Sequence, residues 1–91
     1  MTHRVQWLRE AQFELLEYWA DLDAKQFTQV SSAVEELERR LSVDPENEGE
    51  SRQGKIRIAF EGPLGVYFFI DADDRLVSIM NAWVQFKGFD R

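Results

Sequence analysis

KIRIAFE (Lys55–Glu61), VYFFI (Val66–Ile70) and RLVSIMNAW (Arg75–Trp83) follow one another with only short turn segments between them. Three strand-like segments joined by turns pair as an antiparallel meander. Alternation over Lys55–Glu61 puts Ile56, Ile58 and Phe60 on one face and Lys55, Arg57 and Glu61 on the other. The apolar face is expected to build the core, and the polar face to meet solvent or a partner. Val66–Ile70 is apolar throughout, the pattern of a strand in the interior of a sheet. Gly62-Pro63-Leu64-Gly65 and Asp71-Ala72-Asp73-Asp74 supply the turn chemistry.

Upstream the period changes. Val5 and Trp7 alternate within 3–7, which reads as a short first strand. Leu8, Ala11, Leu15, Trp19 and Leu22 then recur at helical spacing, with Phe13, Leu16 and Ala20 widening the stripe. Asp23 followed by Gln26 is a capping pair for a second helix, in which Phe27, Val30, Val34, Leu37 and Leu41 form the apolar stripe. Arg39 and Arg40 sit in its last turn, where cations suit the helix dipole. The stretch 42–54, with Pro45, Gly49, Gly54 and four carboxylates, reads as a solvated, mobile return loop. These elements predict one domain over 1–91, a two-layer α+β fold in the order β-α-α-β-β-β. An N-terminal helical hairpin covers one face of a four-stranded antiparallel sheet. A sheet face left uncovered must be polar or have a binding role.

Composition narrows the functional classes. At 91 residues, 44% hydrophobic and 13% aromatic, the chain is globular. It has no cysteine, which excludes disulfides and thiolate chemistry. His3 is the only histidine, so a zinc site or a serine-type triad lacks its parts. Asp71-Ala72-Asp73-Asp74 lacks the spacing of an EF-hand, and neither a metal nor a cofactor is expected. No apolar run reaches the length of a signal peptide or a membrane span, so a cytoplasmic protein without membrane contact is expected. The net charge of −6 argues against coating nucleic acid by bulk electrostatics. The charge is uneven: residues 1–50 carry five Lys/Arg against twelve Asp/Glu, and residues 51–91 carry six against five.

Val5-Gln6-Trp7 with Ala11 and Trp19, the Leu41…Pro45…Gly49 return loop, Ser51-Arg52 ahead of Lys55-Ile56-Arg57-Ile58, and Val66-Tyr67 together resemble the RelE/ParE superfamily of bacterial toxins. The likeness runs from Val5 to about Trp83. It implies the toxin of a type II toxin-antitoxin or plasmid-stabilisation system, bound by a cognate antitoxin. Such a toxin acts either as a ribosome-dependent mRNA endoribonuclease (mRNA interferase) or as a gyrase poison. A non-catalytic interaction module of the same fold is the alternative, and a homodimer stays open. By position, Lys55 and Arg57 match the basic residues of the RNA-cleaving branch, Tyr67 completes the candidate catalytic set, and Arg52 and Arg75 are candidate phosphate contacts. The same residues also read more plainly. Lys55 and Arg57 suit solubilising edge charges, Tyr67 a cross-strand partner, and Arg75 a turn residue. Where RNA-cleaving members carry further cationic groups, this chain has Leu64-Gly65-Val66 and Asn81-Ala82-Trp83, which implies a degenerate site. Trp83, Phe86 and Phe89, spaced by three, read as a short helical stripe, as stacking platforms for bases, or as a surface for an antitoxin peptide.

Overall fold

The computed structural model describes residues 2–86. In chain order it contains β1 (Arg4–Trp7), α1 (Arg9–Trp19), α2 (Ala24–Val43), a 3-10 turn (Pro45–Asn47), β2 (Glu50–Gln53), β3 (Ile56–Glu61), β4 (Leu64–Asp71) and β5 (Leu76–Val84). The five strands form one sheet in the order β1-β5-β4-β3-β2. The α+β class and the succession of the expected elements hold, with two differences in the sheet. β1 runs parallel to β5, so the sheet is mixed. The expected return loop also contributes a fifth strand, β2, whose Ser51 pairs with Arg57. Every residue of β2 is exposed, so no apolar alternation announces it; the β3 backbone it pairs with is what holds it. No helix among the described residues is long and apolar enough to cross a membrane.

α2 starts where its capping pair puts it. The Gln26 amide donates to Asp23 Oδ1 at 2.8 Å, and the Asp23 amide donates to Gln26 Oε1 at 3.1 Å, satisfying two amides that have no partner within the helix. Val30, Ala33, Leu37 and Leu41 are its buried residues. They pack with Ala59, Leu64, Val66, Phe68, Val77, Ile79, Ala82 and Val84 of the sheet. α1 buries only Ala11 completely, with Leu15, Tyr18 and Trp19 packed against the same core. Phe13 and Leu16, read as widening its stripe, are exposed instead. The two helices meet through an edge-to-face contact of Trp19 and Phe27, with centroids 4.9 Å apart.

Arg40 ties the helical layer to the sheet. Its Nε donates to Glu48 Oε1 at 2.8 Å, and its Nη1 donates to Glu61 Oε1 at 2.6 Å and to the Phe60 carbonyl at 2.9 Å. Partial burial works against its charge, but the hydrogen bonds to Glu48 and Glu61 outweigh that cost, and its pKa is raised. The loop after α2 is anchored at two further points. Pro45 is buried, and Gly49 passes so close to β3 that an added Cβ would lie 2.0 Å from the Ile58 carbonyl oxygen.

The faces of β3 are the reverse of those expected. Ala59 pairs with Val66, and Arg57 with Phe68; Ala59, Val66 and Phe68 all belong to the core beneath the helices. Arg57 and Glu61 therefore lie on the helix side, and Ile56, Ile58 and Phe60 on the opposite, open side. Alternation identifies two faces but not which one is roofed. Here the roofed face of β3 is narrow, with Ala59 at its centre and the Glu61–Arg40 ion pair at one end.

Candidate functional site

The open face is built from β3, β4 and β5. Cross-strand pairs place Ile58 beside Tyr67, Tyr67 beside Asn81, Phe60 beside Gly65, and Gly65 beside Trp83. A β-bulge in β5 decides the positions of Asn81 and Trp83. Phe68 pairs with Ile79 but Tyr67 pairs with Asn81, so Met80 is an extra residue in β5. The bulge resets the alternation, turning Ala82 and Val84 into the core and Asn81 and Trp83 onto the open face.

Gly65 makes the seat for Trp83. A Cβ at that position would fall 2.4 Å from indole Cε2, 2.5 Å from Nε1 and 2.6 Å from Cζ2, so only a glycine lets the ring lie against the strand. Phe60 meets Trp83 edge-on at a centroid distance of 6.0 Å, and Tyr67 leans against it at 5.1 Å. Phe60 remains 55% exposed. The face left uncovered is thus aromatic rather than polar.

α1 flanks this cluster. β1 ends at Trp7, opposite Ile79, and past that point β5 has no strand on its outer side. Glu14 of α1 fills the gap: its Oε1 accepts from the Ala82 amide and from Asn81 Nδ2, each at 3.1 Å. With Glu14 come Glu10 and Glu17 of the same helix. The three carboxylates, Tyr18, Tyr67, Asn81, Ala82 and Trp83 line a cleft of about 600 Å³. The described residues lining it include no lysine or arginine.

The sequence-predicted residues are dispersed around this face. Tyr67 lies within it. Lys55 sits in the turn between β2 and β3 and lines a different cleft, beside Phe69, Asp71 and Asp73. Arg57 is on the helix side, where its Nε donates to the Glu48 carbonyl at 3.1 Å and its Nη2 to the Gly49 carbonyl at 3.3 Å. These two bonds fasten the return loop to β3. Lys55, Arg57 and Tyr67 are consequently not brought together. Arg52 is exposed on edge strand β2, and Arg75 lies in the β4–β5 turn with a positive φ of 50°. Trp83 and Phe86 do not form a helical stripe. Trp83 is in β5, whereas Phe86 packs against the core and lines a cleft beside Thr28 and Ala33 of α2. Phe89, read with them as a partner-binding residue, lies outside the described residues. Among the described residues no group of three or more His, Asp or Glu side chains is placed to hold a metal ion.

Glu10, Glu14 and Glu17 have no counterpart among the sequence-predicted residues. Their spacing of four and three puts them on one helical face, a signal present in the sequence. Its bearing on the site appears only once α1 is known to lie along β5.

No protein-family model matches the chain, and no curated protein matches it. Solved structures do match its fold. The chain is similar to one in the crystal structure of the toxin-antitoxin complex RelBE2 from Mycobacterium tuberculosis, with a TM-score of 0.71 and 18% sequence identity over 93% of both chains. The architecture is therefore the RelE-like α+β fold that the sequence resemblance implied.

Proposed function

We propose that this chain is the toxin-fold member of a toxin-antitoxin pair, working inside the cell and acting through its open sheet face by binding rather than by RNA cleavage. The observation that carries this reading is the uncovered aromatic cluster of Phe60, Tyr67 and Trp83, shaped by a β-bulge and a glycine seat. The similarity to a chain of the RelBE2 complex supports a protein partner. An antitoxin that neutralises by occlusion would have to cover the surface through which the chain acts.

Cleavage of mRNA by Lys55, Arg57 and Tyr67 would need their groups to converge on one phosphate, with cations aimed at the developing negative charge. Arg57 is committed to backbone carbonyls on the far side of the sheet. Tyr67 shares its cleft with three glutamates, which would repel an RNA backbone. Gyrase poisoning and a purely structural interaction module both remain compatible with a binding face.

Growth after induced expression in a bacterial host, with and without the product of the adjacent reading frame, tests the reading. Arrest that the neighbouring product relieves, together with a 1:1 or 2:2 complex of the two proteins, is the expected result. Normal growth at a normal soluble level would overturn it.

A further inference from the structure

β5 changes its surroundings part-way along. Up to Ile79 it is flanked by β1: Trp7 pairs with Ile79, and the Leu8 amide donates to the Ile79 carbonyl at 2.9 Å. Past the bulge at Met80 that edge has no strand beside it, yet Ala82 is only 3% exposed. A backbone amide in such a place needs a partner. Glu14 of α1 is that partner: its Oε1 accepts from the Ala82 amide and from Asn81 Nδ2, each at 3.1 Å, and its Oε2 lies 3.4 Å from the same side-chain nitrogen. One carboxylate thus holds both residues that follow the bulge, Asn81 by its side chain and Ala82 by its backbone. The next residue is Trp83. In a ladder without the bulge, Met80 would pair with Tyr67 and every later side chain of β5 would change faces, turning Trp83 toward the helices. The alternation of Asn81, Ala82, Trp83 and Val84 selects the bulged register, but it does not fix where on the Gly65 seat the indole comes to rest. Such a contact is sensitive to small shifts, since a gap of about 0.5–1 Å forfeits about a quarter to a half of its attraction.

We propose that Glu14 is a positioning residue for the open face. By holding Asn81 and the Ala82 amide it fixes the bulged segment of β5, and with it the place of Trp83 between Phe60 and Tyr67 in the cluster that meets the partner. What Glu14 contributes is the reach and acceptor geometry of its side chain, not its charge. The proposal rests on the toxin-antitoxin reading for what the face binds, and is independent of it for how the face is held.

The test sets charge against reach in the full-length chain. Glu14→Gln gives up the charge but keeps a carbonyl oxygen for the Ala82 amide, and its amide nitrogen can donate to Asn81 once the Asn81 amide turns over. Glu14→Asp keeps the charge on a shorter side chain, and Glu14→Ala removes both. Three quantities are read: hydrogen exchange of the Ala82 amide, the Trp83 Nε1 resonance in an NMR spectrum, and calorimetric affinity for the product of the adjacent reading frame. Glu14→Ala and Glu14→Asp are expected to speed exchange at Ala82 at least about tenfold, the loss of one hydrogen bond to a charged group. Both should also move the Trp83 resonance while those of Trp7 and Trp19 stay in place, and weaken the complex about tenfold, as for a displaced aromatic anchor. Glu14→Gln should stay near wild type in all three. The amides of Phe68 and Val77 should keep wild-type exchange in every variant, which separates positioning from a general loss of stability.

A wild-type response from Glu14→Asp with a damaged one from Glu14→Gln would place the role in the charge and overturn the proposal. So would an Ala82 amide or a Trp83 resonance indifferent to Glu14→Ala, faster exchange spread evenly through the core, or an unchanged affinity beside a displaced ring. Its failure separates from failure of the parent reading. If the neighbouring product binds and relieves growth arrest while Glu14→Ala leaves Trp83 and the affinity as in the wild type, the toxin-antitoxin reading stands and the positioning role falls. If the variants order all three quantities as described but expression never slows growth, the positioning role stands and the toxin reading falls. If the wild type does not bind the neighbouring product, the parent reading falls, and the exchange and resonance results decide the positioning role by themselves.

Discussion

Arg40 is the side chain that ties α2 to both the return loop and β3 by charged contacts. It donates to Glu48 and Glu61 at once and also to the Phe60 carbonyl. Removing it leaves two carboxylates close to one another with no cation between them. Because the site is partly solvated, we expect Arg40→Ala to cost about 1–3 kcal/mol, below the full cost of breaking a buried pair, read from urea denaturation. Lysine at the same position should recover part of the loss, since it restores the charge but not the three-way geometry. Gly65 makes a different demand. Alanine there would drive its Cβ into the Trp83 indole, so Gly65→Ala should displace the ring from the strand at a cost of about 1–3 kcal/mol. The Trp83 indole Nε1 resonance in an NMR spectrum should move while those of Trp7 and Trp19 stay in place. Unchanged resonances and stability would show that the indole does not use the seat.

Local start signals carry through at the level of elements where the relevant atoms are near neighbours in sequence. Asp23→Ala removes one half of the reciprocal cap on α2, and we expect a loss of about 0.5–2 kcal/mol in denaturant unfolding. A loss of zero would mean that the cap adds nothing beyond core packing. That cap, the Val30, Leu37 and Leu41 part of the α2 core stripe and the interior position of β4 were readable from residue type and spacing, whereas Phe27, read into the same stripe, is largely exposed and Ala33 takes a buried place. The orientation of β3 was not, because Ile56, Ile58 and Phe60 look like a core face. Period-two alternation contains no information about which side a helix will cover when both sides carry apolar groups. β2 was hidden for the opposite reason: Glu50-Ser51-Arg52-Gln53 has no burial pattern, and a strand held only by its neighbour's backbone leaves no trace in side-chain chemistry. The resemblance drawn from the residues did bring the right architecture. It could not bring the position of Arg57, which depends on that one orientation.

Across the whole molecule, charge and shape separate into two regions. Among the described residues, the other cations of the C-terminal half, Arg52, Lys55 and Arg75, stand in turns and on the β2 edge, while the aromatic sheet face is bordered by glutamates. The proposed function assigns this build to recognising another protein rather than to holding an RNA phosphate in line for cleavage. The most direct test compares growth after induction of the wild type, Lys55→Ala and Phe60→Ser at matched soluble levels. The central claim predicts arrest by the wild type and equally by Lys55→Ala, and markedly weaker arrest by Phe60→Ser. Loss of arrest in Lys55→Ala with full arrest in Phe60→Ser would put the function on the cations and contradict it.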